Sequence, residues 1–278
     1  MSEHIAFIGG GNMASAIIGG LLQQGFASSD ITVVEPFEEA RHKLHSQMGI
    51  VALAHATDAL TRADMVIWAV KPQMFQEATL PVRPFTSRAL HVSVAAGIRS
   101  DSIAAWVGSE RIIRTMPNTP ALIGKGITAL FARGAVTADD KEWAAQVIGT
   151  TGDFLWLASE DQIDAVTALS GSGPAYMFYF MEAMTAAGME MGLDKAQAYQ
   201  LAVATFIGAG ELARASTETP EVLRQRVTSK GGTTHAAISA MDASGMKAHF
   251  IQAMHAARDR AQAMGAEFGS AGAPGKPH

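Results

Sequence analysis

The feature that most constrains the fold is a glycine-rich turn between an apolar run and a helical pattern near the N-terminus. Gly9-Gly10-Gly11-Asn12-Met13-Ala14 matches the pattern G-x-G-x-x-A and directly follows the strand-like run His4–Ile8. In such a unit the first glycine permits a tight turn, the second lets a diphosphate approach the backbone, and the last small residue keeps the helix close to the sheet. The motif predicts a dinucleotide site, with an ordinary glycine-rich turn as the alternative.

Glu35 ends the second strand-like run, at the position that contacts the ribose in dinucleotide-binding units. A carboxylate there accepts hydrogen bonds from a ribose 2′-hydroxyl and repels a 2′-phosphate, which favours NADH. The alternative is that Glu35 only caps the following helix, whose first turn favours an acid. Because Arg41 and Lys43 lie nearby, the choice between NADH and NADPH stays open.

The first half of the chain alternates short apolar runs with helical patterns. This alternation predicts an α/β fold, with an N-terminal Rossmann-type doubly wound parallel sheet covered on both faces. Pro36 is expected in the first turn of the second helix. The predicted strands are His4–Ile8, Ile31–Val34, Val51–Leu53, Met65–Val70, Ala89–Val94 and Arg111–Thr115.

The second half shows long helical patterns without strand signals, which predicts an all-α C-terminal dimerisation domain. We place the dinucleotide-binding domain at 1–160, the helical substrate and dimerisation domain at 161–268, and a disordered tail at 269–278. The predicted helices are Pro174–Gly192, Lys195–Ser216, Pro220–Thr228, Thr233–Ser244 and Met246–Met264.

The chain carries unusually little charge. Only 17% of its 278 residues are charged, against about 25% in typical soluble domains. The stretch 174–192 has only Glu182 and Glu190 as charged residues, and 196–213 has only Glu211. A helix that is apolar all round needs burial all round, which a small segment cannot supply by itself. We therefore predict a homodimer through the C-terminal helices, and a larger assembly of dimers stays open.

Composition also narrows the partners and the location. A net charge of −5 without a cluster of Lys or Arg argues against nucleic acid as a partner. The glutamates within the most apolar stretch disfavour a membrane span. The absence of cysteine excludes disulfides, a thiolate nucleophile and cysteine-bound zinc, and no His/Asp/Glu cluster has metal-ligand spacing. The absence of cysteine also fits a cytoplasmic location.

Two later turns complete the predicted cofactor site, because ligands of doubly wound sheets lie beyond the carboxyl ends of the strands. They follow the fourth and fifth predicted runs and should line the nicotinamide half. For Lys71 a solvated loop cation is the equal alternative. The predicted cofactor-binding residues are Ile8, Gly9, Gly10, Gly11, Asn12, Met13, Glu35, Ala69, Val70, Lys71, Pro72, Ala95, Ala96 and Gly97.

Two Gly/Ser loops in the second half precede helices and suit an anion such as a carboxylate. They are Ser170–Tyr176 and Val227–Thr234, and each is alternatively a well-capped helix start. A dehydrogenase that oxidises an alcohol needs a general base. The position of the lysine base of β-hydroxyacid dehydrogenases holds Met177 here, and His235 is the remaining candidate base.

Reduction of a C=N bond tolerates this missing base. A protonated imine is already electrophilic, so hydride transfer depends on positioning more than on proton abstraction. A hydroxyl group close to the imine nitrogen completes the proton transfer, and we assign this catalytic role to Thr234.

Five motifs, taken together, resemble the pyrroline-5-carboxylate reductase family, and they span residues 5 to 242 in the right order. The resemblance implies NAD(P)H-dependent reduction of 1-pyrroline-5-carboxylate to L-proline, the last step of proline biosynthesis. It also implies that Ser229, Gly232, Thr233 and Thr234 hold the substrate carboxylate and ring nitrogen. The motifs are Phe7–Ala14, Ala69–Gln73, Met116–Pro120, Ser170–Tyr176 and Val227–Thr234.

The chain departs from the family pattern at three positions. Lys230 stands where the family commonly has Pro, which leaves the loop less rigid and adds a cation facing an anionic substrate. Glu35 replaces a small polar residue and weakens any inference of NADPH preference. Ala56 stands where an Asn often touches the cofactor.

Two other function classes remain as alternatives. One is a β-hydroxyacid dehydrogenase-like enzyme or another imine reductase, and the first of these is disfavoured by Met177. The other is a dinucleotide-sensing protein without turnover. A second anion-binding loop speaks against a sensor, which has no need of one.

Overall fold

A computed structural model describes residues 3–270. The chain divides into two compact units, one formed by the residues up to Ser172 together with those from Ala257 on, and one formed by Gly173–Ala256. This division differs from the predicted domains, whose boundary lies between residues 160 and 161. Residues 161–172 belong to the sheet-containing unit, and the last helix of the chain returns to it from Ala257 on.

The first unit contains one seven-stranded sheet in the order β2-β1-β3-β4-β5-β6-β7. Neighbouring strands are parallel except β5 and β6, which are antiparallel. The Rossmann-type sheet is thereby confirmed. The strands are β1 (Ile5–Ile8), β2 (Ile31–Val34), β3 (Met65–Trp68), β4 (Leu90–Ser93), β5 (Ile112–Met116), β6 (Gly126–Ala132) and β7 (Gly152–Trp156).

Three sequence-based expectations about this sheet were incomplete or wrong. The run Val51–Leu53 is not a strand, since only Leu53 forms an isolated bridge, to Val34. The strands β6 and β7 were missed. In β7 the middle residues are exposed, because it is an edge strand and lacks the continuous apolar run of a strand covered on both faces.

Alternate residues of the central strands fill two cores, one on each face of the sheet. Phe7 and Ile67 lie in one core, whereas Ile8 and Trp68 lie in the other. The central parallel strands are therefore buried on both sides, and only their ends are free to form a binding edge.

The helices of both units are α1 (Asn12–Gln23), α2 (Glu38–Met48), α3 (Phe75–Val82), α4 (Ser100–Val107), α5 (Ala138–Gly149), α6 (Gln162–Val166), α7 (Gly173–Glu190), α8 (Lys195–Ala215), α9 (Pro220–Arg226), α10 (Thr233–Ala243) and α11 (Met246–Ser270). The helices from α7 onward lie close to their predicted positions, although α11 continues to Ser270, beyond the predicted end at Met264. The C-terminal region from α7 onward is all-α, as predicted.

The structure corrects the local prediction at three helix ends. Pro36 is not in the first turn of α2, because the helix begins at Glu38 after the extended residue Phe37. The segment Ser170–Tyr176 is not an open loop, since Thr167–Gly171 forms a π-helical turn between α6 and α7. Helix α11 includes Gly269 and Ser270, and the rest of the predicted tail lies outside the described residues.

Two further features of the described residues bear on function. No helix between residues 3 and 270 is both long enough and apolar enough to cross a bilayer. In the same range, no three His, Asp or Glu side chains are grouped so that they could hold a metal ion.

Candidate functional site

The glycine-rich turn lies where the strand order reverses, between β1 and β3. The Gly9 N–H donates to the Val34 carbonyl at 2.8 Å, and the Ala69 N–H donates to the Ile8 carbonyl at 2.8 Å. Gly9 has φ +98°, and a Cβ there would lie 2.6 Å from the Ala69 carbonyl oxygen. The turn after β1 and the turn after β3 therefore lie side by side. They approach so closely that only glycine fits at position 9.

The start of α1 is open to a ligand. Gly11 is the N-cap residue, and no side chain caps the first turn. A Cβ on Gly11 would meet nothing within 4 Å, and Gly11 and Asn12 are exposed while Met13 is half-buried. Free N–H groups at a helix start facing open space fit a diphosphate.

The Glu35 side chain is buried and bonded to backbone on both sides. Its Oε2 accepts from the Gly10 N–H at 2.7 Å, and its Oε1 accepts from the Phe37 N–H at 2.9 Å. A Cβ on Gly10 would lie 2.6 Å from Leu44 Cδ1 and 3.3 Å from Glu35 Cβ. The middle glycine of the motif is therefore favoured by packing against Glu35 and α2, a preference that the motif alone does not show.

The two predicted nicotinamide-side turns follow β3 and β4 at the same sheet edge. Lys71 is exposed, and Ala95 and Gly97 are buried. Gly97 has φ +74°, and a Cβ there would lie 3.0 Å from Met264 Cβ. The C-terminal part of α11 therefore covers the second turn. Met264 was not predicted to lie at this turn, because no local pattern tells where the end of a helix packs.

Asn118 joins two of the family-like motifs within the first unit. Its Nδ2 donates to the Ser170 carbonyl at 3.2 Å, and its Oδ1 accepts from the Ile127 N–H at 3.0 Å. The Ser172 N–H donates to the Thr167 carbonyl at 2.8 Å. This bond leaves the Ser172 N–H satisfied in the π-helical turn, so the prediction of a free helix start at Ser170–Tyr176 was wrong there.

A buried ion pair lies at the start of α4, the helix that follows the turn after β4. Glu160 accepts from the Ser100 N–H and Oγ, both at 2.6 Å, and from Arg114 Nη1 at 2.9 Å. Arg114 also lies 3.7 Å from Asp164, and burial raises the pKa of the Asp164 carboxyl group. These charged residues were not predicted to form a cluster, because an ion pair between residues 46 positions apart leaves no local signal in the sequence.

The predicted substrate residues form a tight turn followed by α10 in the second unit. The Gly232 N–H donates to the Ser229 carbonyl at 3.0 Å, and Gly231 has φ +76°. A positive φ at the third turn residue is what a type II turn requires. Gly232 is the N-cap residue of α10, and no side chain caps the helix. The turn thus presents uncapped N–H groups beside its hydroxyl groups.

Exposure distinguishes the candidate groups of this turn. Ser229, Lys230, Thr233 and His235 are exposed, whereas Thr234 is half-buried on the first turn of α10. The described contacts assign no hydrogen-bond partner to the His235 ring, which fits a surface histidine better than an oriented general base.

Family models match both halves of the chain. Residues 160–264 match the model described as pyrroline-5-carboxylate reductase dimerisation, and residues 4–97 match the model described as NADP oxidoreductase, coenzyme F420-dependent. The doubly wound sheet and its dinucleotide edge, together with these matches, define an NAD(P)H-dependent oxidoreductase.

The similarity to individual proteins extends over nearly the whole chain. A pyrroline-5-carboxylate reductase of Pseudomonas aeruginosa is 43% identical over 96% of this chain and 99% of its own length. The solved reductase of Coxiella burnetii superposes with a TM-score of 0.88 at 36% identity, covering 95% and 99% of the two chains. That of Plasmodium falciparum, solved with NADP bound, gives 0.84 at 25% identity, covering 95% and 98%. The chain belongs to the pyrroline-5-carboxylate reductase family.

Proposed function

We propose that this chain catalyses the NAD(P)H-dependent reduction of 1-pyrroline-5-carboxylate to L-proline, the last step of proline biosynthesis. The observation that carries the proposal is 43% identity to a reductase of this name over 96% of the chain. The open helix start at Gly11 and the uncapped start of α10 supply anion sites suited to the cofactor diphosphate and the substrate carboxylate.

The substrate carboxylate is proposed to bind at the turn before α10. Ser229 and Thr233 offer hydroxyl donors, and the N–H groups following Gly232 face an anion with the positive end of the helix dipole behind them. Thr234 Oγ1 is proposed to hydrogen-bond the ring nitrogen and to relay a proton to it from water, which restores the proton of the hydroxyl group. These groups bind and orient the imine, so no strong base is required.

The cofactor is proposed to lie along the edge built by the ends of β1 to β4. Gly9 to Met13 hold the diphosphate, Glu35 contacts the adenosine ribose, and the turns 69–72 and 95–97 position the nicotinamide, with Ile8 at the strand end. The bound nicotinamide supplies hydride to the imine carbon. The close approach of the turns at Gly9 and the open space at Gly11 support these roles.

A homodimer is part of the proposal. The second unit leaves large apolar side chains exposed, among them Phe178, Tyr179, Tyr199 and Leu212, at 58%, 70%, 59% and 70%. Apolar area of this extent on helices matched by a dimerisation model favours burial against a second copy. A cytoplasmic location is also proposed, since a chain without cysteine suits a reducing compartment.

The direct test is to mix the purified chain with 1-pyrroline-5-carboxylate and follow the loss of reduced nicotinamide absorbance, with proline identified as the product. We expect turnover with at least one of NADH and NADPH. Cofactor binding without turnover would favour a dinucleotide sensor, and turnover only with β-hydroxyacids would favour the other dehydrogenase class. Either result would overturn the proposal.

A further inference from the structure

Glu35 connects the two sides of the adenosine end of the site. Its carboxylate bonds the glycine-rich turn through the Gly10 N–H and the β2–α2 connection through the Phe37 N–H. The residue is only 6% exposed, and a Cβ on Gly10 would lie 3.3 Å from the Glu35 Cβ and Cγ. Its position is therefore set by the fold before any ligand binds.

The charge of this carboxylate is not neutralised by an ion pair in the described part of the chain. Arg41, the basic side chain of the same connection, donates from Nη1 to the main-chain oxygens of Glu35 and Pro36, at 3.0 and 2.6 Å. Its guanidinium thus stands near the end of β2 without a carboxylate partner among residues 3–270. An acid and a cation are both present at this strand end, and the acid is the more buried.

We propose that Glu35 makes this reductase select NADH over NADPH, and that the same carboxylate orients the phosphate-binding turn through Gly10. The inference rests on the proposed function, because the dinucleotide must lie at this edge of the sheet. It goes further by naming which of the two cofactors binds more tightly and the residue that decides it.

The acceptor capacity of the carboxylate supports this selection. An ionised carboxylate has about four lone-pair positions, and two N–H groups occupy two of them. About two positions remain, and we propose that they accept hydrogen bonds from the two hydroxyl groups of an unmodified ribose. A 2′-phosphate ester offers no comparable donor and adds about two negative charges. Next to a buried carboxylate this repulsion is weakly screened.

Arg41 explains how NADPH binding can persist at a lower affinity. Its guanidinium has five N–H donors, and those not directed at the two carbonyl oxygens remain for a phosphate. While Glu35 is ionised, its charge opposes this attraction. Removing the charge of Glu35 should therefore let Arg41 draw the 2′-phosphate in, and removing Arg41 as well should cancel that gain.

The test measures cofactor affinity directly, by calorimetric titration of the full-length chain with NADH and with NADPH in the absence of substrate. We expect the wild type to bind NADH about tenfold more tightly than NADPH or better, and Glu35→Gln to lower that ratio by about tenfold, chiefly through tighter NADPH binding. Adding Arg41→Ala should abolish the gain. Glu39→Gln, which removes an exposed acid of the same helix start, is the matched control and should leave the ratio unchanged.

The positioning role has its own readout. In Glu35→Ala, amide hydrogen exchange at Gly10 should become faster in the ligand-free chain, while exchange in β4 stays unchanged. Unchanged exchange at Gly10 would overturn the positioning half of the proposal.

The outcomes separate this inference from the proposed function. A chain that reduces 1-pyrroline-5-carboxylate but binds NADPH more tightly overturns the selection by Glu35 alone, as does an unchanged ratio in Glu35→Gln. A chain that binds neither cofactor overturns the proposed function. A wild type that binds NADPH more tightly overturns the proposal even if Glu35→Gln fails to fold, so the proposal stays testable in that case.

Discussion

Thr234 is the single residue on which the proposed chemistry depends most. Thr234→Val keeps the shape of the side chain but removes the hydroxyl group that is proposed to reach the imine nitrogen. We expect kcat/KM to fall by about 10²-fold or more, as is typical for a lost proton donor. Thr234→Ser, which restores the hydroxyl, should recover most of the activity. If Thr234→Val keeps wild-type kcat/KM, Thr234 has no part in proton transfer.

His91 makes the stability of the fold depend on pH. It is fully buried in β4, where its Nδ1 accepts from the Trp68 indole N–H at 3.1 Å. Burial lowers the pKa of His91 to about 4 from its usual 6.5. Between these values the unfolded chain binds a proton that the folded chain does not, so stability should fall as the pH drops from about 6.5 to 4, by a total of about 3 kcal/mol.

The check for His91 is urea unfolding at a fixed protein concentration across this pH range. His91→Phe removes the titrating ring while keeping an aromatic side chain beside Trp68. Its free energy of unfolding is expected to be lower at neutral pH, because the Trp68 N–H loses its acceptor, but to change less between pH 6.5 and 4. Equal slopes in both proteins would show that other groups cause the acid loss.

At the scale of elements, the turn before α10 carries an unexpected residue. Lys230 occupies the second position of the Ser229–Gly232 turn, where a type II turn has φ near −60° and favours proline. We expect Lys230→Pro to stabilise the second unit by about 0.4–1 kcal/mol, because it restricts the unfolded chain. The measurement is the thermal unfolding midpoint. Lys230→Ala removes the charge without stiffening the chain, and an equal rise in that variant would assign the effect to charge.

At the scale of the whole molecule, the proposed dimer interface accounts for the low charge. We expect the chain to sediment as a dimer or a multiple of it, because the second unit exposes apolar side chains that a monomer would leave in water. Tyr179→Asp places a charge among them and should shift the equilibrium toward monomer. Leu80→Asp, at an equally exposed apolar residue on α3 in the other unit, is the control and should not. A wild-type monomer at micromolar concentration would contradict the proposal.

The local pattern of apolar residues was sufficient to predict the strands and helices whose surroundings are uniform. The central strands β1, β3 and β4 are buried on both faces, so their apolar runs were readable, and the helices from α7 to α10 followed their periodicity. The strands β6 and β7 were missed, because β6 pairs in the antiparallel direction with β5 and β7 is an exposed edge strand, and neither feature follows from the local sequence. Val51–Leu53 was wrongly predicted to be a strand, because an apolar run forms a strand only where a neighbouring strand is free to pair with it.

The candidate site divides in the same way. The glycine-rich turn and the turn before α10 were visible as motifs, and φ values at Gly9 and Gly231 agree with the turns expected there. The partners of Glu35, the cover that Met264 gives Gly97 and the bonds of Asn118 were not visible. Each joins residues far apart in the sequence.

The sequence by itself determined the class of fold, the positions of the glycine-rich turns and the family, because these follow from local periodicity, from glycines that only certain turns accept and from ordered motifs. Only the tertiary structure decided that β6 runs antiparallel to β5, that the end of α11 returns to the sheet unit, and that the Glu35 carboxylate is held by Gly10 and Phe37. The physical reason is that these contacts close long loops, and they form only when many distant residues pack together at once.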